Sequence, residues 1–186
     1  MRPGSAAALA LLSAFIFTLG TAFAAPAPPE IDGSAPAFSL RTIGGDELSL
    51  AGLRGTVLVL HFAATWCPFC AAEAPHLEKL YQEYRGRGVT VAIVDIREPA
   101  AIVAKNARKL GLTFPIALDP EGDVARSFAP PPEVQPDLAR DEVMIASNLI
   151  IDREGRIRFF SLLDSAHFDA KLVALRSRLD RLLGEQ

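Results

Sequence analysis

Cysteine is scarce in this sequence, with only Cys67 and Cys70 among 186 residues. Small secreted domains held by disulfides use more cysteines, and the short loop between these two is too small to cross-link a domain usefully. A structural zinc site needs about four Cys or His ligands, but there is no second cysteine pair and the three histidines lack a suitable spacing. Basic residues are not in excess either. The formal net charge of −3 offers no electrostatic footprint for nucleic acid.

What the sequence does contain is a Cys-x-x-Cys pair, in the segment WCPFC over residues 66–70. It lies between an apolar, β-branched run typical of a buried strand and an amphipathic pattern typical of a helix. A cysteine at the start of a helix faces free backbone N–H groups and the positive end of the helix dipole, which stabilise a thiolate. Such a thiolate can attack a disulfide, and the second cysteine can resolve the mixed disulfide. The pattern favours a redox-active pair over a static disulfide or half of a zinc site.

The N-terminal segment is expected to lie outside the fold. Arg2 precedes an apolar stretch over residues 6–17, and Ala22 and Ala24 are small residues placed as at a cleavage site. We expect a signal peptide over residues 1–24, and an uncleaved membrane anchor is the alternative. Either one directs the chain out of the cytoplasm, and we expect a periplasmic protein. Residues 25–33 then form a Pro/Ala-rich linker and residues 34–186 a single domain.

Strand and helix patterns alternate along that domain. Strands are predicted at 38–40, 47–50, 57–62, 89–95, 114–118, 148–152 and 156–160, with helices after Cys67, at 99–110 and at 124–128. A last helix is predicted with one apolar face, formed by Phe168, Leu172, Leu175, Leu179 and Leu182. This order predicts an α/β fold with a mixed central sheet and helices on both faces.

Residues 61–75, HFAATWCPFCAAEAP, resemble the active-site segment of the TlpA/ResA-like branch of thioredoxin-like thiol:disulfide oxidoreductases, which belongs to the redoxin (AhpC/TSA) group. Residues 149–157 resemble that branch's closing hairpin, and residues 95–128 resemble its inserted strand and helix. The similarity extends over about residues 34–183. It implies a thioredoxin-like fold with an N-terminal hairpin and an inserted strand–helix segment.

The resemblance also implies roles for residues around the pair. Cys67 corresponds to an exposed nucleophile and Cys70 to a buried resolving thiol. Trp66 corresponds to an aromatic side chain that packs beside the disulfide and shapes the partner surface. Pro68 keeps the first helical turn rigid, and with Phe69 it helps to set the reduction potential.

Three more polar residues are candidates near the pair. Glu73 lies where this branch often has a glutamate beneath the active site, as a proton acceptor or a modulator of the thiols; the alternative is a solvated glutamate that complements the helix dipole. Asp95 closes its strand and could face the same region. His61 lies within a central strand, where a histidine is more often a hydrogen-bonded core residue.

The sequence departs from the family at the loop that meets the partner. Thioredoxin-like proteins usually have a cis-proline there, whereas this chain has Ala146 between Ile145 and Ser147. We expect a trans peptide bond or an altered loop, since a non-proline cis bond costs about 3 kcal/mol, and a more open site. Residues 129–142 are longer than the family's usual turn, which indicates either partner recognition or a neutral insertion.

These observations predict a periplasmic enzyme that reduces disulfides of client proteins, for example in cytochrome c or metal-site maturation, with thiols from a membrane donor. No cofactor, resident metal or nucleic acid partner is expected, and membrane contact is expected only if the N-terminal segment is uncleaved.

The alternative is a Cu(I)-binding chaperone that uses Cys67, Cys70 and possibly Met144, because sulfur ligands suit Cu(I). A peroxiredoxin-type peroxidase is disfavoured, because Leu60, Ala64 and Ala146 occupy the positions of its proline, Thr/Ser and arginine.

Overall fold

The computed structural model describes residues 32–129, 147–161 and 168–184. Its strands are β1 (Ser39–Arg41), β2 (Glu47–Ser49), β3 (Val57–Ala63), β4 (Val89–Ile96), β5 (Ile116–Asp119), β6 (Ser147–Ile151) and β7 (Ile157–Ser161). Its helices are α1 (Pro68–Tyr84), α2 (Ala100–Leu110), α3 (Asp123–Ser127) and α4 (Val173–Gly184), and a 3₁₀ turn follows α1 at Arg85–Arg87. None of the helices in these ranges has both the length and the apolar character needed to cross a membrane.

A five-stranded mixed sheet forms the centre of the molecule, in the order β5-β4-β3-β6-β7. Strands β3, β4 and β5 are parallel, whereas β6 pairs antiparallel with β3 and β7. Every residue of β3 is buried because both faces of the sheet are covered, which explains its continuous apolar sequence. The predicted mixed sheet is confirmed.

Two hydrophobic cores lie on opposite faces of the sheet. One packs α1, α2 and α4 against alternate residues of β3, such as Val57 and Val59. The other contains Leu58 and Leu60, together with residues of α3 and of the β1–β2 hairpin. This alternation follows from the two-residue period of a strand, and it confirms helices on both faces and the N-terminal hairpin.

Helix α1 positions the cysteine pair at its N-terminus. It runs from Pro68 through Pro75 to Tyr84 and buries Leu77 and Leu80 against the sheet. A proline in the first turn is compatible with a helix because its missing N–H would have no partner there. The chain then turns at Gly88, whose φ of 74° is easily reached only by glycine.

The last helix begins later than the apolar spacing predicts. Leu172 has a φ of 57°, which ends any helical path from Phe168, and α4 starts at Val173. The Asp169 carboxylate instead accepts a hydrogen bond from the Ala174 N–H at 3.0 Å. Phe168 packs edge-on against Phe69, with ring centroids 4.9 Å apart. The prediction that Phe168 and Leu172 belong to the helix is therefore wrong.

Candidate active site

The two cysteines meet at the start of α1. Cys67 is the N-cap residue, and its Sγ accepts a hydrogen bond from the Cys70 N–H at 3.2 Å. The two Sγ atoms lie 2.6 Å apart and both residues are free cysteines. A disulfide can thus open and close between them with little movement of the helix.

Cys67 is buried, with an exposed fraction of 4%, which corrects the expectation of an exposed nucleophile. Its side chain turns inward because the sulfur caps the first turn of α1, and its N–H is bonded to the Ala64 carbonyl. Cys70 is buried as expected. Burial raises the pKa of the Cys70 thiol well above its usual range, and the neighbouring Cys67 and the Glu73 carboxyl act in the same direction.

The surface beside the pair is apolar and open. Trp66, next to Cys67 in the chain, is 68% exposed, so most of its side chain is accessible to a partner. Pro68 is exposed too, and Phe69 is partly buried against Phe168. These side chains leave an aromatic and apolar surface next to a buried sulfur.

Glu73 lies beneath the pair and has an exposed fraction of 3%, so the alternative of a solvated glutamate is wrong. Its Oε1 accepts a hydrogen bond from the Asn148 side-chain amide at 3.1 Å. Its Oε2 is 3.5 Å from His61 Nδ1, too far for a strong hydrogen bond. Burial raises the pKa of Glu73 to about 7, although the Asn148 bond lowers it and Asp169 adds a small increase. A carboxyl with this pKa can gain and lose a proton near neutral pH.

His61 is fully buried on β3, and only one of its two ring nitrogens has a hydrogen-bond partner among the described residues. The register of β3 and β6 places it opposite Asn148, whose Oδ1 is 3.0 Å from His61 Nδ1. The amide oxygen is an acceptor, so Nδ1 carries the hydrogen and Nε2 is an acceptor. His61 Nε2 has no hydrogen-bond partner among the described residues. Burial lowers the pKa of His61 to about 4, and the ring is neutral at physiological pH.

Asp95 is the penultimate residue of β4, paired in register with Ala63, and is 3% exposed. Burial raises its pKa to about 8, with the charge and hydrogen bonding of Glu98 adding to the effect. Glu98 also holds the segment that leads to the cysteines, because its carboxylate accepts from the Thr65 N–H and, at 2.6 Å, from the Thr65 hydroxyl. The expectation that Asp95 faces the active-site region is confirmed.

Sequence reasoning missed Asn148, Glu98 and Thr65. Glu98 gives a detectable signal, since it follows the carboxyl end of a parallel strand, where functional side chains collect in α/β sheets. Asn148 gives none, because its role depends on the pairing of two distant strands.

Only part of the predicted partner loop lies in the described residues. Ser147 begins β6 and its side chain is buried, so it cannot present that side chain to a client. Ile145, Ala146, Met144 and most of the segment 129–142 lie outside the described residues. Within the described ranges, no group of three or more His, Cys, Asp or Glu side chains could hold a metal ion.

A sequence model of the AhpC/TSA family matches residues 31–160. The chain belongs to the AhpC/TSA family. This member is 32% identical over 151 residues to the thiol-disulfide oxidoreductase ResA of Geobacillus kaustophilus, which covers 81% of the chain and 80% of the relative. It is 30% identical, with the same coverage, to the thiol-disulfide oxidoreductase ResA of Geobacillus thermodenitrificans.

Solved structures of related proteins have the same fold as this chain. A putative protein disulfide isomerase from Bacteroides thetaiotaomicron superposes on this AhpC/TSA protein with a TM-score of 0.71 at 27% identity, covering 84% of this chain and 91% of that one. A putative thiol:disulfide interchange protein DsbE from Chlorobium tepidum has the same fold, with a TM-score of 0.66, 22% identity and coverage of 83% and 99%. The thioredoxin-like fold and the ResA-like resemblance are confirmed, and the protein is a thiol-disulfide oxidoreductase.

Proposed function

We propose that this oxidoreductase reduces disulfides of client proteins outside the cytoplasm, with Cys67 as the nucleophile and Cys70 as the resolving thiol. The observation that carries the proposal is the electrostatic setting of Cys70. Its thiol is buried, and the nearby ionisable groups are carboxyls and a neutral imidazole. Among the described residues, no lysine or arginine lines the cavity beneath it.

This setting favours a reductant. A strong oxidant such as DsbA owes its potential to a reduced form that is stabilised, with a thiolate of low pKa. Here burial and the Glu73 carboxyl disfavour the Cys70 thiolate. Cys70 therefore gives the reduced form no thiolate stabilisation of this kind, which favours donation of electrons to a client.

The reaction is two thiol–disulfide exchanges. The Cys67 thiolate attacks a client disulfide, one client sulfur leaves and takes up a proton, and a mixed disulfide forms. Cys70 then loses its proton and attacks Cys67 Sγ, which closes the Cys67–Cys70 disulfide and releases the second client thiol. Two electrons pass to the client, and a donor dithiol, supplied by a membrane protein, restores the pair.

Cys67 must leave its capping position to react. In the structure its Sγ is held by the Cys70 N–H and shielded from solvent. Attack on a client therefore requires rotation of the Cys67 side chain toward the surface formed by Trp66 and Pro68. An apolar surface of this kind suits a client segment whose cysteine is flanked by apolar residues.

Trapping of the mixed disulfide tests the proposal. The Cys70→Ser variant can form the mixed disulfide but cannot resolve it, so it should accumulate adducts with extracytoplasmic proteins that dithiothreitol releases. Cys67→Ser is the matched control and should accumulate none. A Cys70→Ser protein that captures no client, or no more than Cys67→Ser, would contradict the proposal.

Copper binding is the second candidate, supported by the soft sulfur ligands Cys67 and Cys70. Its third ligand, Met144, lies outside the described residues. A spectroscopic titration of the reduced protein with Cu(I) decides the matter. Binding at micromolar or weaker affinity would end this alternative.

A further inference from the structure

A small cavity lies behind Cys70, between the sheet and helices α1 and α2. Its volume is about 30 Å³, enough for a water molecule. Alanines and aliphatic side chains form most of its wall. The polar residues of the wall are His61, Thr65, Cys70, Asp95 and Asn106.

Two of these residues have a buried polar atom without a hydrogen-bond partner in the described part of the chain, namely His61 Nε2 and Asp95 Oδ1. Both residues are at least nine-tenths buried. Buried polar atoms are normally paired, and a cavity that is large enough for a water molecule and offers it polar partners can hold ordered water. Water in the cavity would bond both atoms and lie near the Cys70 side chain, which also lines the cavity.

We propose that Asp95 exchanges a proton with the Cys70 sulfur through water in this cavity, as a second proton-holding group beside Glu73. When a donor thiolate attacks Cys67 Sγ of the oxidised pair, the Cys67–Cys70 bond breaks and its electron pair goes to Cys70 Sγ. That sulfur takes a proton from the cavity water, which is replaced by the proton of the Asp95 carboxyl. In the opposite step Cys70 returns the proton as it attacks the mixed disulfide.

The surroundings of Asp95 fit this role. The ionisable groups that face it are Glu98 after its own strand, His61 from β3 and Cys70 from α1, while α2 contributes only the neutral Asn106. With a pKa of about 8, Asp95 holds its proton at neutral pH and can donate it. The raised pKa of Cys70 makes its bare thiolate a poor leaving group, so a proton source speeds the step.

The inference rests on disulfide chemistry at Cys67 and Cys70, but it holds whether clients are reduced or oxidised. Its test is stopped-flow reduction of the oxidised protein by dithiothreitol. The single tryptophan, Trp66, lies next to Cys67 and reports the reaction by fluorescence. Rates are divided by the dithiothreitol thiolate concentration, so that the remaining pH dependence belongs to the protein.

For the wild type we expect this normalised rate to fall above about pH 8, as Asp95 loses its proton. Asp95→Asn keeps the shape and polarity of the side chain but cannot donate. It should react roughly 10- to 100-fold more slowly at neutral pH and lack the fall near pH 8. Any change near pH 7, which belongs to Glu73, should persist in this variant.

Asp119→Asn is the matched control, because Asp119 is a buried carboxyl at the end of β5 that bonds the Ala125 N–H and does not line the cavity. Its rates should equal those of the wild type. Ala107→Val keeps Asp95 but fills the cavity, and it should slow the reaction as Asp95→Asn does.

An Asp95→Asn protein within about 2-fold of the wild type, with the same pH profile, would overturn the inference. If that variant does not fold, a wild-type rate in Ala107→Val overturns it instead. A wild-type protein that dithiothreitol cannot reduce at all would count against the proposed function, and is thereby distinguished from a failure of Asp95 alone.

Discussion

At the scale of single residues, the site depends on buried polar groups whose protons are set by their neighbours. The pKa values of Glu73 and Asp95 are raised to about 7 and about 8, well above the usual carboxyl range. The pKa of His61 is lowered to about 4, so its ring stays uncharged at neutral pH. Desolvation is the main cause in each case, since burial disfavours the charged form. Proton uptake and release can therefore occur next to the sulfurs instead of in bulk water.

Asn148 joins two of these groups, and its removal should affect both stability and titration. Asn148→Ala leaves His61 Nδ1 and Glu73 Oε1 without their partner, and we expect a loss of about 2–3 kcal/mol in the free energy of unfolding, measured with urea. The pKa of Glu73 should rise further, because the Asn148 bond lowers it. A Glu73 titration by NMR that is unchanged in the variant would contradict this.

The buried carboxyls also make stability depend on pH. The folded-state pKa of Asp95 is raised from 3.8 to about 8. Its contribution to the free energy of unfolding is therefore complete below about pH 4 and is lost as pH rises through 8. His61 acts in the opposite direction, since its lowered pKa gives a contribution that is present above pH 6.5 and lost as pH falls through about 4.

Asp95→Asn should therefore flatten the fall in unfolding free energy between about pH 5 and pH 8, measured by urea unfolding at several pH values. Asp119→Asn is the comparison, since Asp119 is a buried carboxyl that does not line the cavity. An equally steep fall in Asp95→Asn and in the wild type would show that Asp95 does not titrate in this window.

At the scale of elements, Glu98 connects the end of β4 to the turn before α1. Its carboxylate accepts both hydrogen bonds of Thr65. Glu98→Gln keeps only one acceptor oxygen, and amide exchange over residues 65–67 should rise by about 10-fold, equivalent to about 1.4 kcal/mol. Glu83→Gln on α1, which loses only a surface pair with Arg176, should leave that segment unchanged. Equal exchange in both variants would contradict the role of Glu98.

Local patterns predicted the elements well and their contacts less well. The continuous apolar run of β3 and the glycine after α2 mark elements directly, since burial and a left-handed residue both leave a trace in the sequence. The start of α4 was missed because the apolar spacing continues through Phe168, while Asp169 and the left-handed Leu172 begin the helix later.

The same limit applies to the site. Cys67 and Cys70 are evident from four adjacent positions, and Glu73 from its distance along one helix. The hydrogen bond between His61 and Asn148 depends on the register of β3 and β6, and no local pattern in the sequence predicts that register. The burial of Cys67 depends on which way its side chain turns, and that is set by the cap of α1.

At the scale of the whole molecule, the fold places an exposed aromatic and apolar surface over a buried redox pair and a set of buried acids. We propose that the N-terminal segment directs the chain out of the cytoplasm, where this arrangement would work. We predict that protein purified from the periplasm has lost residues 1–24, so that its intact mass corresponds to a chain starting at Ala25. A mass that retains these residues would instead support a membrane anchor.

The reduction potential of the Cys67–Cys70 pair shows in which direction the pair transfers electrons. The purified protein is equilibrated at neutral pH with dithiothreitol or glutathione buffers, and the reduced fraction is measured by thiol alkylation. For a reductase we expect a potential of about −270 mV, as in thioredoxin, in line with a Cys70 thiolate that burial and Glu73 disfavour. A value of about −120 mV, as in DsbA, would show that the reduced form is stabilised and would contradict the assignment as a reductase.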